Sequence, residues 1–205
     1  MLTCKSLLVK HKPAWDLAAR HPFLDNCKSG AIQPGQFNAW LVQDYLFVTV
    51  FTRMAARLLS VAPVAHFDVL LAGLSALKDE LNWFREKAAE RRLKLNTPMQ
   101  ESCRRYGQFM EDMAQEPYAV QAAAFWAIEL AYNQAWQLPG QMAKPYDEFA
   151  ERWGNPGFTE YVNLLEKQAD EALAAVGTEI EKRAEQVFLE VAELEREFWE
   201  MAFAV

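Results

Sequence analysis

The stretch YAVQAAAFWAIELAYNQAWQ, Tyr118–Gln137, decides the fold class. It has no glycine or proline and is apolar on nearly every side. Val120, Phe125, Trp126, Ile128, Leu130, Tyr132 and Trp136 are spread around the whole helical circumference. A helix with so little polar face must be surrounded by other elements, so it reads as the central helix of an α-helical core. Pro139-Gly140 stops it. Within Ala122–Tyr132 one residue breaks the pattern. Glu129 stands among Ala127, Ile128, Leu130 and Ala131, with no polar surface nearby to account for it. Tyr132 and Trp136 follow at helical spacing on its face.

Outward from this stretch the chain continues to read as helix. Residues 2–20 form a first helix, His21-Pro22-Phe23-Leu24 breaks it, and Lys28-Ser29-Gly30 makes a turn. Pro34 sits where a first helical turn favours proline. A helix follows to about residue 60, with Phe37, Trp40, Leu41, Asp44, Phe47, Val48 and Phe51 at three-and-four spacing, and Pro63 ends it. A second long helix covers 66–95 on a stripe of Leu70, Leu74, Leu77, Leu81 and Phe84. Thr97-Pro98 opens a helix through 115. A short helix at 145–153 ends at Trp153-Gly154-Asn155-Pro156-Gly157, and helices at 158–175 and 177–203 close the chain. There is no linker, repeat or low-complexity segment. The expectation is a single all-α domain over 1–205, a bundle of seven to eight helices.

Composition agrees and excludes several functions. Of 205 residues, 52% are hydrophobic, with 7 Trp and 13 Phe but only 8 Gly and 9 Pro, too few turn formers for a β-sandwich. The net charge of −7 and the lack of a basic stripe argue against nucleic acid. The densest basic cluster is only Glu90-Arg91-Arg92-Leu93-Lys94. No apolar run reaches the roughly 18 residues of a membrane span. The start, Met1-Leu2-Thr3-Cys4-Lys5, lacks the features of a signal peptide. Cys4, Cys27 and Cys103 read as free thiols of a cytoplasmic protein.

Four acids lie on apolar faces: Asp44, Glu80, Glu129 and Glu195. A carboxylate in a core is costly unless paired or hydrogen-bonded. Acids buried together move one another's pKa towards neutrality, which suits a general acid or base. Each also has a plainer reading. Glu80 has charged neighbours in Lys78, Asp79, Arg85 and Glu86. Glu195 is flanked by Glu193 and Glu197, and Asp44 could accept from a backbone group or Arg53. Metal is not expected: Glu80 is followed by Leu81, Asn82, Trp83 and Phe84, not by the histidine of a Glu-x-x-His pair, and His11, His21 and His66 are not spaced as ligands. No Gly-rich phosphate loop, Gly-x-Ser-x-Gly elbow or paired-cysteine zinc site occurs.

The order of these residues resembles one family. His21-Pro22-Phe23-Leu24, Gly30, Phe37, Leu41-Val42-Gln43-Asp44-Tyr45 and Arg53 with Ala55-Ala56 resemble the opening of the TenA family of thiamin-salvage proteins. Glu80, Tyr106, Tyr132 and the Trp153-Gly154 to Phe158 segment fall in matching order. Glu195-Arg196-Glu197-Phe198-Trp199-Glu200 resembles its closing motif. The resemblance implies a haem-oxygenase-like helical bundle that binds an aminopyrimidine without metal or haem. One subgroup of that family uses a cysteine nucleophile on the central helix. Here Glu129 stands at or beside that position, as in a second subgroup with glutamate instead. Phe47, where the cysteine branch commonly has tyrosine, and Phe84, where metal-binding relatives carry histidine, point the same way.

That subgroup hydrolyses 4-amino-5-aminomethyl-2-methylpyrimidine, and in some members its N-formyl form, to the hydroxymethylpyrimidine. By resemblance, Glu195 is the acid/base at the ring nitrogen, Asp44 holds the 4-amino group, and Glu129 orients or deprotonates water. Phe47, Tyr106, Tyr132 and Trp153 would stack on or hydrogen-bond the ring, and Glu80 would support it. Two alternatives stay open: thiaminase II action on thiamin, against which the absent cysteine argues, and a non-catalytic aminopyrimidine-binding or regulatory protein on the same scaffold. No cofactor is implied, and family habit suggests a homodimer or homotetramer.

Overall fold

Prolines and polar caps, more than glycines, divide this chain into helices. A computed structural model describes all of residues 1–205. It contains ten α-helices: α1 Cys4–Lys10, α2 Lys12–Ala19, α3 Pro22–Ser29, α4 Pro34–Val61, α5 Phe67–Glu90, α6 Glu101–Asp112, α7 Tyr118–Gln137, α8 Asp147–Trp153, α9 Pro156–Ala174 and α10 Thr178–Phe203. Single 3-10 turns, Val64–His66 and Met113–Gln115, precede α5 and follow α6. There is no strand, as the sequence predicts, and no helix is long and apolar enough to cross a membrane.

Ten helices stand where seven or eight are expected because the first thirty residues are cut twice more than the hydrophobic pattern suggests. The helix expected over 2–20 is two. His11 leaves helical geometry at φ −111°, ψ 24°, and Pro13 sits in the first turn of α2, where its missing N–H costs nothing. His21-Pro22 starts a helix rather than ending one: His21 Nδ1 accepts the Phe23 amide at 3.1 Å, and Pro22 opens α3. Gly30 then closes α3 at φ 76°, with the Ala31 amide donating to the Asn26 carbonyl at 2.8 Å. The helix expected to reach 95 ends at Glu90. Arg92, at φ 58°, takes the left-handed position that glycine usually fills, and the Leu93 amide donates to the Ala88 carbonyl at 2.8 Å. The helix expected from 97 begins at Glu101, after Gln100 in extended backbone.

The residues fall into two compact units, one of Met1–Ile32 and Pro117–Glu200, the other of Gln33–Glu116 and Met201–Val205. In the first, α7 is buried at every position from Ala119 to Asn133 and packs against α9, α8 and α2. Its alanines let neighbours approach closely, and its large rings lock them in register. Phe188 of α10 stacks on Trp15 of α2 at 4.9 Å and on Trp126 of α7 at 6.0 Å. Trp199 of α10 meets Phe23 of α3 at 5.4 Å and Tyr132 of α7 at 5.8 Å.

In the second unit α4 packs against α5 and α6. Its predicted stripe, Phe37, Trp40, Leu41, Asp44, Phe47, Val48 and Phe51, is wholly buried. Trp40 touches Phe37 at 5.1 Å and Phe84 of α5 at 6.3 Å. The Gln36 amide donates to the Phe203 carbonyl at 2.6 Å, tying the end of α10 to the start of α4.

Candidate functional site

In the first unit, three polar residues of α7 form a ladder on one face: Glu129, Asn133 and Gln137 at four-residue spacing. Glu129 is 7% exposed, and the Tyr161 hydroxyl of α9 donates to its Oε1 at 3.4 Å. Asn133 donates to the Trp153 carbonyl at 2.7 Å. Tyr132 lies edge-on to the Trp153 ring at 5.8 Å, and Trp153 stacks on Trp136 at 5.6 Å. Glu195 is buried on α10, one turn before Trp199. The face that carries Glu195 is therefore the face that Trp199 packs against Tyr132 and Trp136. Of the residues singled out in the sequence, Glu129, Tyr132, Trp153 and Glu195 thus share one unit, on the packed helices α7, α8 and α10.

In the second unit, Asp44, Phe47 and Tyr106 are all buried. Tyr106 of α6 meets Phe47 of α4 edge-on at 4.8 Å. The register between these helices is fixed beside Asp44 by Gln43. Its side-chain amide donates to the Pro98 carbonyl at 3.2 Å and accepts the Gln100 amide at 2.8 Å. Its own carbonyl accepts Cys103 Sγ at 3.5 Å. Glu80, on α5, is half-buried and is the least enclosed of the four acids, with Lys78 and Asp79 exposed beside it.

The thiols are poor nucleophiles. All three cysteines are buried and none lies on α7. Burial, with the Asp44 charge adding to it, pushes the Cys103 thiol up to about 12. Burial and the carboxylates of Asp170 and Glu166 push Cys4 up further still. A neutral, enclosed thiol does not attack carbon at pH 7. No three His, Cys, Asp or Glu side chains are grouped to hold a metal ion.

Three residues of this arrangement escape the sequence reading. Tyr161 is a half-buried aromatic on an amphipathic helix, indistinguishable from core. Thr159, whose hydroxyl donates to Asn133 Oδ1 at 3.2 Å, is an ordinary helical threonine in sequence. Asn133 carried the same signal as Glu129, a polar side chain in an apolar run, and ends 2% exposed.

Comparison with known proteins follows the same lines. The model of the TENA/THI-4/PQQC family matches residues 8–204. The chain belongs to this family. It is 33% identical over 207 residues to the Glycine max protein named "Probable bifunctional TENA-E protein", covering 95% of this chain and 90% of that one. It is 23% identical to the "Aminopyrimidine aminohydrolase" of Halalkalibacterium halodurans, over 97% of this chain and 94% of that one. A TenA homologue from Pyrococcus furiosus superposes with a TM-score of 0.93 at 28% identity, covering 97% of this chain and 98% of the other. The all-α, haem-oxygenase-like fold expected from the sequence is the fold of these relatives.

Proposed function

We propose that this family member is a thiamin-salvage hydrolase that removes the exocyclic amine of 4-amino-5-aminomethyl-2-methylpyrimidine. Water supplies the incoming hydroxyl, and the products are the hydroxymethylpyrimidine and ammonia. The observation that carries the reading is Glu129: a carboxylate on the most buried helix, held by a tyrosine hydroxyl, in a chain whose thiols are off that helix and, at Cys4 and Cys103, held neutral. Names borne by relatives, aminopyrimidine aminohydrolase and TENA-E protein, support the same substrate class.

The chemistry divides among the acids. The C–N bond breaks when the amine leaves as a neutral base, so it must carry an extra proton. The C–O bond forms when water attacks the same carbon and loses one. Glu129 takes the water proton, and the Tyr161 hydroxyl keeps that carboxylate oriented. Glu195 exchanges the proton of the ring nitrogen, which lets the pyrimidine push electrons towards the leaving group. Asp44 accepts from the 4-amino group. Phe47, Tyr106, Tyr132 and Trp153 supply ring contacts, and Glu80 supports from α5. We read residues 1–205 as one functional domain, cytoplasmic, acting as a homodimer or homotetramer without a cofactor.

The test is incubation of the pure protein with the aminomethylpyrimidine, its N-formyl form and thiamin, following the hydroxymethyl product. Release from the aminomethyl compound is expected, with thiamin left intact. Turnover of thiamin would favour the thiaminase reading. Binding of pyrimidine without turnover of any of the three would favour a non-catalytic binding protein.

A further inference from the structure

We infer that Asn133 is a positioning residue: its amide pins the corner between α8 and α9 to α7 and so sets where the Tyr161 hydroxyl stands against Glu129. The inference rests on the role of Glu129 proposed above. A buried amide is costly unless both ends are bonded, and here both are. Asn133 Nδ2 donates to the Trp153 carbonyl at 2.7 Å and to Thr159 Oγ1 at 3.1 Å. The Thr159 hydroxyl faces Asn133 Oδ1 at 3.2 Å and the Asn155 carbonyl at 3.2 Å. One turn on, Gln137 Nε2 reaches the Gly154 carbonyl and Thr159 Oγ1, each at 3.4 Å. The corner is thus held from α7 at Trp153, Gly154 and Thr159.

The corner also has no room to drift towards α7. A Cβ on Gly154 would stand 2.7 Å from the Ala150 carbonyl oxygen, 3.2 Å from that of Trp136 and 3.3 Å from Gln137 Cα, all backbone atoms. α9 springs directly from this corner, with the Asn155 side chain accepting the Phe158 amide at 2.9 Å. Tyr161 lies only two residues past Thr159, about 3 Å along a stiff helix, so any shift of the corner passes to its hydroxyl. Its bond to Glu129, at 3.4 Å, is already long. A further displacement of about 1 Å removes it. The same corner carries the Trp153 ring to Tyr132.

The experiment compares Asn133→Leu, Thr159→Val, Tyr161→Phe and the double variant Asn133→Leu/Tyr161→Phe. Asn133→Leu should lower kcat about 10-fold or more, with KM within about 3-fold, as loss of alignment does. The double variant should be no slower than Tyr161→Phe, because the two changes act through one bond. Unchanged kcat, or losses that multiply, would overturn the inference. Thr159→Val carries the test if Asn133→Leu does not fold: its kcat should drop, and Thr159→Ser should recover most of the loss. If the wild-type protein hydrolyses no pyrimidine, the functional reading fails, and a crystal structure of the folded variant then decides the positioning separately. A Tyr161–Glu129 separation beyond about 4 Å supports it, and an unchanged separation overturns it.

Discussion

At the scale of single residues, position on a helical face carried most of the information. Asp44, Glu129 and Glu195 each interrupt an apolar stripe, and each is buried. An interruption is visible in one sequence because burial of charge without a partner costs several kcal/mol and is not tolerated idly. Tyr161 shows the limit of that signal. An aromatic at a half-buried helical position breaks no pattern, and only the fold reveals that its hydroxyl reaches Glu129. Glu80 shows the opposite limit, since its interruption leads to a half-buried place rather than a core. Cys4, Cys27 and Cys103 are enclosed and none lies on α7. Treatment of the native protein at pH 7 with a thiol-disulfide reagent should modify no cysteine within the time needed to modify a free thiol completely, and turnover of the aminomethylpyrimidine should be unchanged. Rapid labelling with loss of activity would point back to a nucleophilic cysteine.

At the scale of elements, long periodic helices were legible and their ends were not. α4 and α7 follow their hydrophobic patterns almost to the residue because burial of a face decides them. The breaks at His11 and Arg92 depend on which backbone carbonyls find partners, and the pattern of apolar residues does not record that. Proline misled at two boundaries: His21-Pro22 reads as a stop but caps a start, and Thr97-Pro98 reads as a start but lies ahead of the one at Glu101. Arg92→Gly should raise stability by up to about 1 kcal/mol in urea denaturation, since glycine takes a left-handed φ without strain. Gly154→Ala should lower it by about 1–3 kcal/mol, because the added methyl meets backbone atoms of α7 and α8 that cannot yield. A neutral Gly154→Ala would mean that the corner is looser than its contacts imply.

At the scale of the whole molecule, fold class was legible from Tyr118–Gln137 and from the scarcity of turn formers. The pairing of Met1–Ile32 with Pro117–Glu200 in one unit was not, because stacks such as Trp15 on Phe188 join residues far apart in sequence and leave no local trace. Burial of thiols has a global consequence in pH. An acid whose pKa is raised by folding keeps its proton in the folded chain after the unfolded chain has lost it. Its contribution to stability is therefore complete below its ordinary pKa and falls as pH climbs towards the folded value. For Cys103 that window runs from 9.0 to about 12. Between pH 9 and 11, denaturation in reducing buffer should show stability falling less steeply for Cys103→Ala than for wild type, by up to about 1.4 kcal/mol per pH unit. Parallel slopes would contradict the assignment. In the proposed reaction a carboxylate and water act on a thiamin fragment without a thiol nucleophile. Its most direct test is turnover of the aminomethylpyrimidine by Glu129→Gln alongside pyrimidine affinity. A fall in kcat of at least about 100-fold with affinity retained is predicted, and near-wild-type turnover would contradict it.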